Sequence, residues 1–171
     1  YWRIDTTDYT TNRDLWPEFL ADNCVAIGWS NLGNLSGYED GRQVEAYIKE
    51  EMPKHYPNPP NVISRKAREI RRFCNVGNYN GFLSDGDIVV ASNGMTVRGI
   101  GRIAGDYEFV EGDEFSHRRP VEWLSVGDWT LPQREGLQTT VHQLKRQREN
   151  LVEIERNILF AEAIPARERK S

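Results

Sequence analysis

Cysteine and histidine are scarce, with two and three copies in 171 residues. That scarcity leaves no ligand set for a zinc site, so no metal is expected. Cys24 and Cys74 both sit within apolar patterns and read as buried reduced thiols rather than a disulfide or a metal pair. Long hydrophobic runs are also missing, since none approaches the roughly 18 residues of a membrane span. No charged-then-apolar leader opens the chain at Tyr1, and the sequence reads as a cytoplasmic protein with no membrane partner. The phosphate-cradling GxxxxGK[ST] loop, the serine-nucleophile elbow, the paired-His metal helix and spaced Cys pairs are absent, which excludes the commonest routes to NTP hydrolysis and nucleophilic catalysis. Asp85 and Asp87 flank Gly86 without a Lys or His nearby, a pattern that suits a turn better than metal-dependent hydrolysis. The expectation is a binding domain, not an enzyme, with no cofactor.

What is present is a folded domain with a wet surface. Charged residues make up 28% and hydrophobic ones 38% of the chain, and the mean hydropathy is -0.68. Five Trp, seven Tyr and six Phe are too many for disorder. The net charge of -4 does not advertise a nucleic-acid binder, so the distribution of cations matters more than their sum. They cluster at Arg65-Lys66-Ala67-Arg68-Glu69-Ile70-Arg71-Arg72, at His117-Arg118-Arg119, at Lys145-Arg146-Gln147-Arg148 and at Arg167-Glu168-Arg169-Lys170.

Periodicity divides the chain. A short strand at Trp2-Arg3-Ile4 is followed by a helix from about Asn12 to Asp22, with Pro17 tolerated only near its first turn. Cys24 to Ile27 reads as a strand stopping at Gly28, and Trp29 to Gly41 as a loop rich in Gly, Asn and Ser. A helix over Arg42–Met52 ends in the Pro-rich stretch Pro53 to Pro60. Over Asn61–Cys74 the residues Ile63, Ala67, Ile70 and Cys74 share one helical stripe. Arg65, Arg68 and Arg72 lie opposite, either as a solvated face or as a phosphate-facing one. The period then shortens: Asp87 to Ala91 passes through Ser92-Asn93-Gly94 into Val97 to Ile103 as a hairpin. Gly99 and Gly101 inside that run suggest a bulge or close packing. Strands follow at Tyr107–Val110, Pro120–Leu124 and Thr139–Leu144, and Leu144, Leu151, Ile154 and Ile158 mark a C-terminal helix before a basic tail from Pro165. Several short strands with helices around them make the class α+β with a small barrel.

Trp29 is the sharpest candidate for chemistry. It follows a strand end and precedes Ser30 and Asn31, which puts a flat apolar ring beside short polar groups. A flipped base needs that combination, because stacking returns about 1–3 kcal/mol against an extrusion cost of a few kcal/mol. Hydrogen bonds must then supply the discrimination. Core packing of the Trp29 ring is the equally weighted alternative.

The segments Tyr1-Trp2-Arg3-Ile4-Asp5, Ile27-Gly28-Trp29-Ser30, Gly86 to Val90 running to Gly99-Ile100-Gly101-Arg102-Ile103, and His117 to Leu124 resemble, in this order, the EVE and YTH branch of PUA-like domains. The likeness is greatest to the N-terminal specificity domains of McrB-like and Mrr-like modification-dependent restriction systems. It spans roughly 1–144 and implies a PUA-like small twisted β-barrel flanked by helices, with 145–171 as a C-terminal helix and basic linker toward an effector domain. It also implies a modified base turned out into an aromatic cage. Trp29 matches the cage Trp, Asp5 and Thr6 match polar residues that contact the base edge, and Ser30 and Asn31 extend the cage loop. Tyr107 and Phe109 stand where family members often place a second wall. Trp123 matches a recurrent position, although Val121 and Trp123 share a strand face that suits core packing. His117, Arg118 and Arg119 are candidates for phosphate contacts together with Arg65, Arg68 and Arg72; a surface turn is the alternative for the 117–119 group. Asn75 to Ser84 has no family counterpart.

The expected function is therefore a specificity module for double-stranded DNA that flips a modified base, 5-methylcytosine or 5-hydroxymethylcytosine or else N6-methyladenine. Cleavage would belong to an effector nuclease or NTPase domain or subunit. A YTH-type reader of methylated RNA and a protein-interaction domain are the alternatives, separable by competition with modified RNA and by binding at low salt.

Overall fold

The computed structural model describes residues 1–163; the basic tail expected from Pro165, with Arg167, Arg169 and Lys170, lies outside the described residues. The elements are β1 (Trp2–Asp5), β2 (Thr7–Asp8), β3 (Arg13–Asp14), α1 (Trp16–Asp22), β4 (Cys24–Ile27), a 3-10 turn (Ser30–Leu32), α2 (Gly41–His55), α3 (Pro60–Cys74), β5 (Ile88–Asn93), β6 (Thr96–Ile103), β7 (Glu108–Phe109), β8 (His117–Thr130), β9 (Val141–Gln143) and α4 (Arg148–Ala163). The class is α+β, with a mixed sheet and, among the described residues, four α-helices. Two compact units share the described residues: one takes Tyr1–Asn23, Asp87–Arg102 and the described chain after Pro120, the other Cys24–Gly86 and Ile103–Pro120.

In the first unit the strand order is β8-β6-β5-β1-β9, with β8 contributing its part from Val121 onward. β1 runs parallel to β5, Trp2 opposite Val89, and antiparallel to β9, Trp2 opposite Gln143. All four β1 residues are buried, and the strand has a neighbour on each edge. Buried Arg3 is satisfied by Ser92 Oγ at 2.7 Å and by the carbonyls of Thr139 and Gly136 at 3.1 and 3.2 Å. The α4 residues Ile154 and Ile158 pack on Val90, Val97, Ile100, Leu131 and Leu144. Glu135 accepts hydrogen bonds from the backbone N–H groups of Lys145, Arg146 and Gln147 and so fixes the chain just before α4. The glycines of β6 serve close packing: a Cβ on Gly99 would stand 2.3 Å from Trp16, and one on Gly101 would stand 2.2 Å from Val121.

Helix α1 starts four residues later than its apolar pattern suggests. Arg13 and Asp14 are taken up by β3, which pairs with β2, and the Asp14 carboxylate accepts from the Trp16 N–H at 3.0 Å.

The second unit sets β8 between β4 and β7, with Ile27 and Phe109 both opposite His117. Helices α2 and α3 pack on each other. α2 continues one turn beyond the expected stop at Met52, because Pro53 falls in the last turn and the Tyr56 N–H still reaches the Met52 carbonyl at 2.7 Å. The α3 stripe of Ile63, Ala67, Ile70 and Cys74 is buried together with Phe73. The 75–84 segment, opaque in sequence, is a clasp around Asn75. That residue caps α3 in the left-handed conformation. Its amide donates to the carbonyls of Tyr79 and Leu83, each at 3.2 Å, and its Oδ1 accepts from the Tyr79 N–H at 2.8 Å.

Candidate functional site

Strand alternation at the start of β8 decides which side chains face inward in the second unit. His117 and Arg119 are buried, at 0% and 3% exposure, and Arg118 between them is half-buried. The His117 Nδ1 lies 2.6 Å from the Tyr107 hydroxyl, and its Nε2 lies 3.0 Å from the Trp29 carbonyl oxygen. The Tyr107 oxygen also accepts from the Leu35 N–H at 3.3 Å. The Tyr107 ring stacks on the imidazole at 5.7 Å, and the Phe109 ring meets it tilted at 5.4 Å. Burial lowers the pKa of His117, opposed by the bond to Trp29, and raises that of Tyr107, with help from Cys74. Both groups are neutral near pH 7.

Beyond this buried pair the chain leaves β4 through Trp29 at φ 60°, ψ 39°. A bulky residue in the left-handed region carries about 1–3 kcal/mol of strain and persists only where its surroundings impose it. Here the carbonyl is held by His117. The half-buried Trp29 ring lies under the Lys66 ammonium, 5.7 Å from its centroid. The next residues form the 3-10 turn, whose Leu32 carbonyl accepts from the Tyr47 hydroxyl at 2.8 Å, while the Asn31 amide donates to the Tyr56 hydroxyl at 3.3 Å.

Ser30, Asn31, Gly33 and Asn34 form one wall of an open pocket of about 730 Å³, and Phe109 with 111–114 forms the other. That volume is within the range of about 300–1,000 Å³ typical of small-ligand sites. One aromatic ring, two side-chain amides and a hydroxyl share the pocket with Glu111, Asp113 and Glu114. Asp113 is fixed, accepting from the Phe115 N–H at 2.9 Å and from Arg118 Nη2 at 2.7 Å. The pocket is therefore rich in acceptors, and its charge repels phosphate.

Of the base-contact candidates, Ser30, Asn31 and Phe109 meet in this pocket. Trp29 adjoins it through the chain but is not among its lining residues, and Tyr107 has its hydroxyl engaged by His117 and Leu35. Tyr107 instead lines a second cavity of about 400 Å³ with Asn75, Asp85, Asp106 and Arg119. Asp5, Thr6 and Trp123 belong to the first unit. Asp5 and Thr6 are buried there, and the Asp5 carboxylate accepts from the Thr7 N–H at 2.9 Å. Trp123 is half-buried, packs edge-on against Trp16 at 4.9 Å and donates from Nε1 to the Phe19 carbonyl.

The phosphate candidates separate by burial. Arg65 and Arg68 are exposed on α3, and Arg72 is half-buried near the end of the helix. Contrary to the expected phosphate contacts, the 117–119 group turns to partners within the protein. His117 is buried between the Tyr107 hydroxyl and the Trp29 carbonyl, Arg119 donates to the carbonyls of Phe73, Leu83 and Gly105, and Arg118 is bound to Asp113 and the Phe115 carbonyl. A turn at these positions would have exposed all three; a strand beginning at His117 turns two of them inward.

Gly33, Asn34 and the 111–114 wall also line the pocket, beyond the residues its sequence pattern singled out. The signal was there in Glu111-Gly112-Asp113, a turn composition joining two short β runs. Fold and pocket together define an α+β protein with an open, acceptor-rich pocket of small-ligand size. The chain belongs to the family described as Domain of unknown function (DUF8426), whose model matches residues 2–145; α4 begins beyond that stretch. A search of curated proteins finds no match.

Proposed function

We propose that this protein reads a modified base in nucleic acid, double-stranded DNA in the first instance, by taking the flipped base into the pocket between the Ser30–Asn34 turn and the Phe109–Glu114 wall. The pocket is the observation that carries the reading. It offers one aromatic face for stacking, amide and hydroxyl groups for an edge, and carboxylates suited to an exocyclic amino group such as cytosine N4 or adenine N6. Its negative charge admits a base while keeping phosphates outside. Arg65 and Arg68, exposed on α3 of the same unit, supply phosphate contacts. The ordered resemblance to EVE and YTH domains supports a PUA-like reading of the fold and a place in a modification-dependent restriction system. Catalysis would then reside in an effector domain or subunit.

Otherwise identical fluorescent oligonucleotides carrying cytosine, 5-methylcytosine, 5-hydroxymethylcytosine, adenine or N6-methyladenine, as duplex DNA and as RNA, test the proposal. One modified base should bind at least tenfold tighter than its parent, and Asn31→Ala and Phe109→Ala should each erase that preference. Equal affinities across the panel would refute it. A preference confined to the RNA arm would move the reading to the YTH-type alternative.

A further inference from the structure

We infer that Tyr107 and His117 are positioning residues for the pocket: a single buried relay that holds the turn from Trp29 to Leu35 at both of its ends and supports the opposite wall as well. The role assigned to the pocket rests on the base-reading proposal; the relay itself does not.

The direction of each hydrogen bond follows from elementary chemistry. The Trp29 carbonyl only accepts, so His117 Nε2, 3.0 Å away, carries a proton. A neutral imidazole then has its acceptor at Nδ1, so the Tyr107 hydroxyl donates across the 2.6 Å contact. That leaves the Tyr107 oxygen as acceptor for the Leu35 N–H at 3.3 Å. The chain Leu35 N–H to Tyr107 O–H to His117, and His117 N–H to Trp29 C=O, has one consistent polarity. It ties together two backbone groups six residues apart. Between those two points lie Ser30, Asn31, Gly33 and Asn34, one complete wall of the pocket. The other wall leans on the same imidazole through Phe109 at 5.4 Å. A left-handed Trp29 has little reason to hold its conformation once its carbonyl is released.

Tyr107→Phe removes the hydroxyl and keeps the stacked ring. In the full chain, labelled with nitrogen-15, the wild type should show His117 with a protonated Nε2 and a hydrogen-bonded, unprotonated Nδ1, and a slowly exchanging Leu35 amide. The variant should keep its overall circular dichroism, exchange the Leu35 amide at least tenfold faster, shift the His117 Nδ1 resonance and move the backbone signals of Ser30–Asn34. Its affinity for the preferred modified duplex should fall about tenfold. Tyr38→Phe, outside the relay, should do none of this. Unchanged Leu35 exchange in Tyr107→Phe, or a wild-type His117 protonated on Nδ1, would overturn the clamp. A loosened turn with undiminished affinity would overturn the positioning role. If no duplex binds even the wild type, the base-reading proposal fails, while ring tautomer and amide exchange still decide the relay.

Discussion

Replacing Arg119 separates a structural cation from a phosphate-binding one. The residue is 3% exposed, with Nη1 donating to the Phe73 carbonyl at 2.9 Å and the Leu83 carbonyl at 2.5 Å, and Nε donating to the Gly105 carbonyl at 3.1 Å. The Phe73 carbonyl lies in the last turn of α3, where helical partners run out and a cation is favoured by the helix dipole. Arg119→Met keeps most of the stem and removes all three bonds. Leu83 retains its bond from Asn75, so the carbonyls of Phe73 and Gly105 lose most. At about 1–3 kcal/mol for each buried group left without its donor, offset in part by the guanidinium desolvation that is no longer required, the loss is about 3 kcal/mol. Trp29 is the sole tryptophan of the second unit, so guanidinium titration of protein labelled with 5-fluorotryptophan, followed by fluorine NMR at that resonance, reads this unit directly. Arg119→Lys should recover part of the loss, since one ammonium reaches fewer of three diverging carbonyls. A loss below about 1 kcal/mol, combined with weakened nucleic-acid binding in a folded variant, would refute the structural assignment and return Arg119 to the phosphate surface.

Three further perturbations probe the remaining physics. Glu135→Gln gives up charge-assisted bonds to three backbone N–H groups and should cost about 1–3 kcal/mol, read as a lower denaturation midpoint of the first unit. These bonds and His142 outweigh desolvation in holding the Glu135 pKa below its ordinary value of 4.5; its stabilisation is present above that value and lost as pH falls through the folded one, and the variant should lack this acid-side loss. His117, lowered from 6.5 by burial, makes the wild type less stable as pH falls from about 6.5 toward its folded value, by at most about 1.4 kcal/mol per pH unit; His117→Gln should flatten that slope in equilibrium denaturation at several pH values. Gly101→Ala drives a methyl to within 2.2 Å of Val121 and should lower stability by about 1–3 kcal/mol, whereas Gly81→Ala meets no atom within 4 Å, although its φ of +85° is strained.

Where period and punctuation agreed, the sequence was legible. The α3 stripe, the Asn93-Gly94 hairpin and the strand ending at Ile27 depend on local alternation or on one turn signal. What sequence hid was decided by partners distant along the chain. The β2–β3 hairpin displaces the start of α1 by strand pairing, and Asn75 organises the following segment through carbonyls as far away as Leu83.

The site was half legible for a reason that also explains its errors. Ser30 and Asn31 line the pocket because small polar residues just past a strand end fall in a surface turn. The basic run at His117 was misjudged because charge alone suggests solvent. Two of its three members instead face inward from a strand, one as a neutral imidazole and one as a cation whose bonds close the end of α3. The relay could not be read from composition at all, since Trp29, Leu35, Tyr107 and His117 contribute a carbonyl, an amide, a hydroxyl and an imidazole from three separate stretches of chain. Such a device leaves a local mark only in its effect, a tryptophan held at positive φ. Backbone strain next to a pocket is thus the observation that connects fold to candidate site, and its release should move the backbone signals of Ser30–Asn34 before it changes the fold.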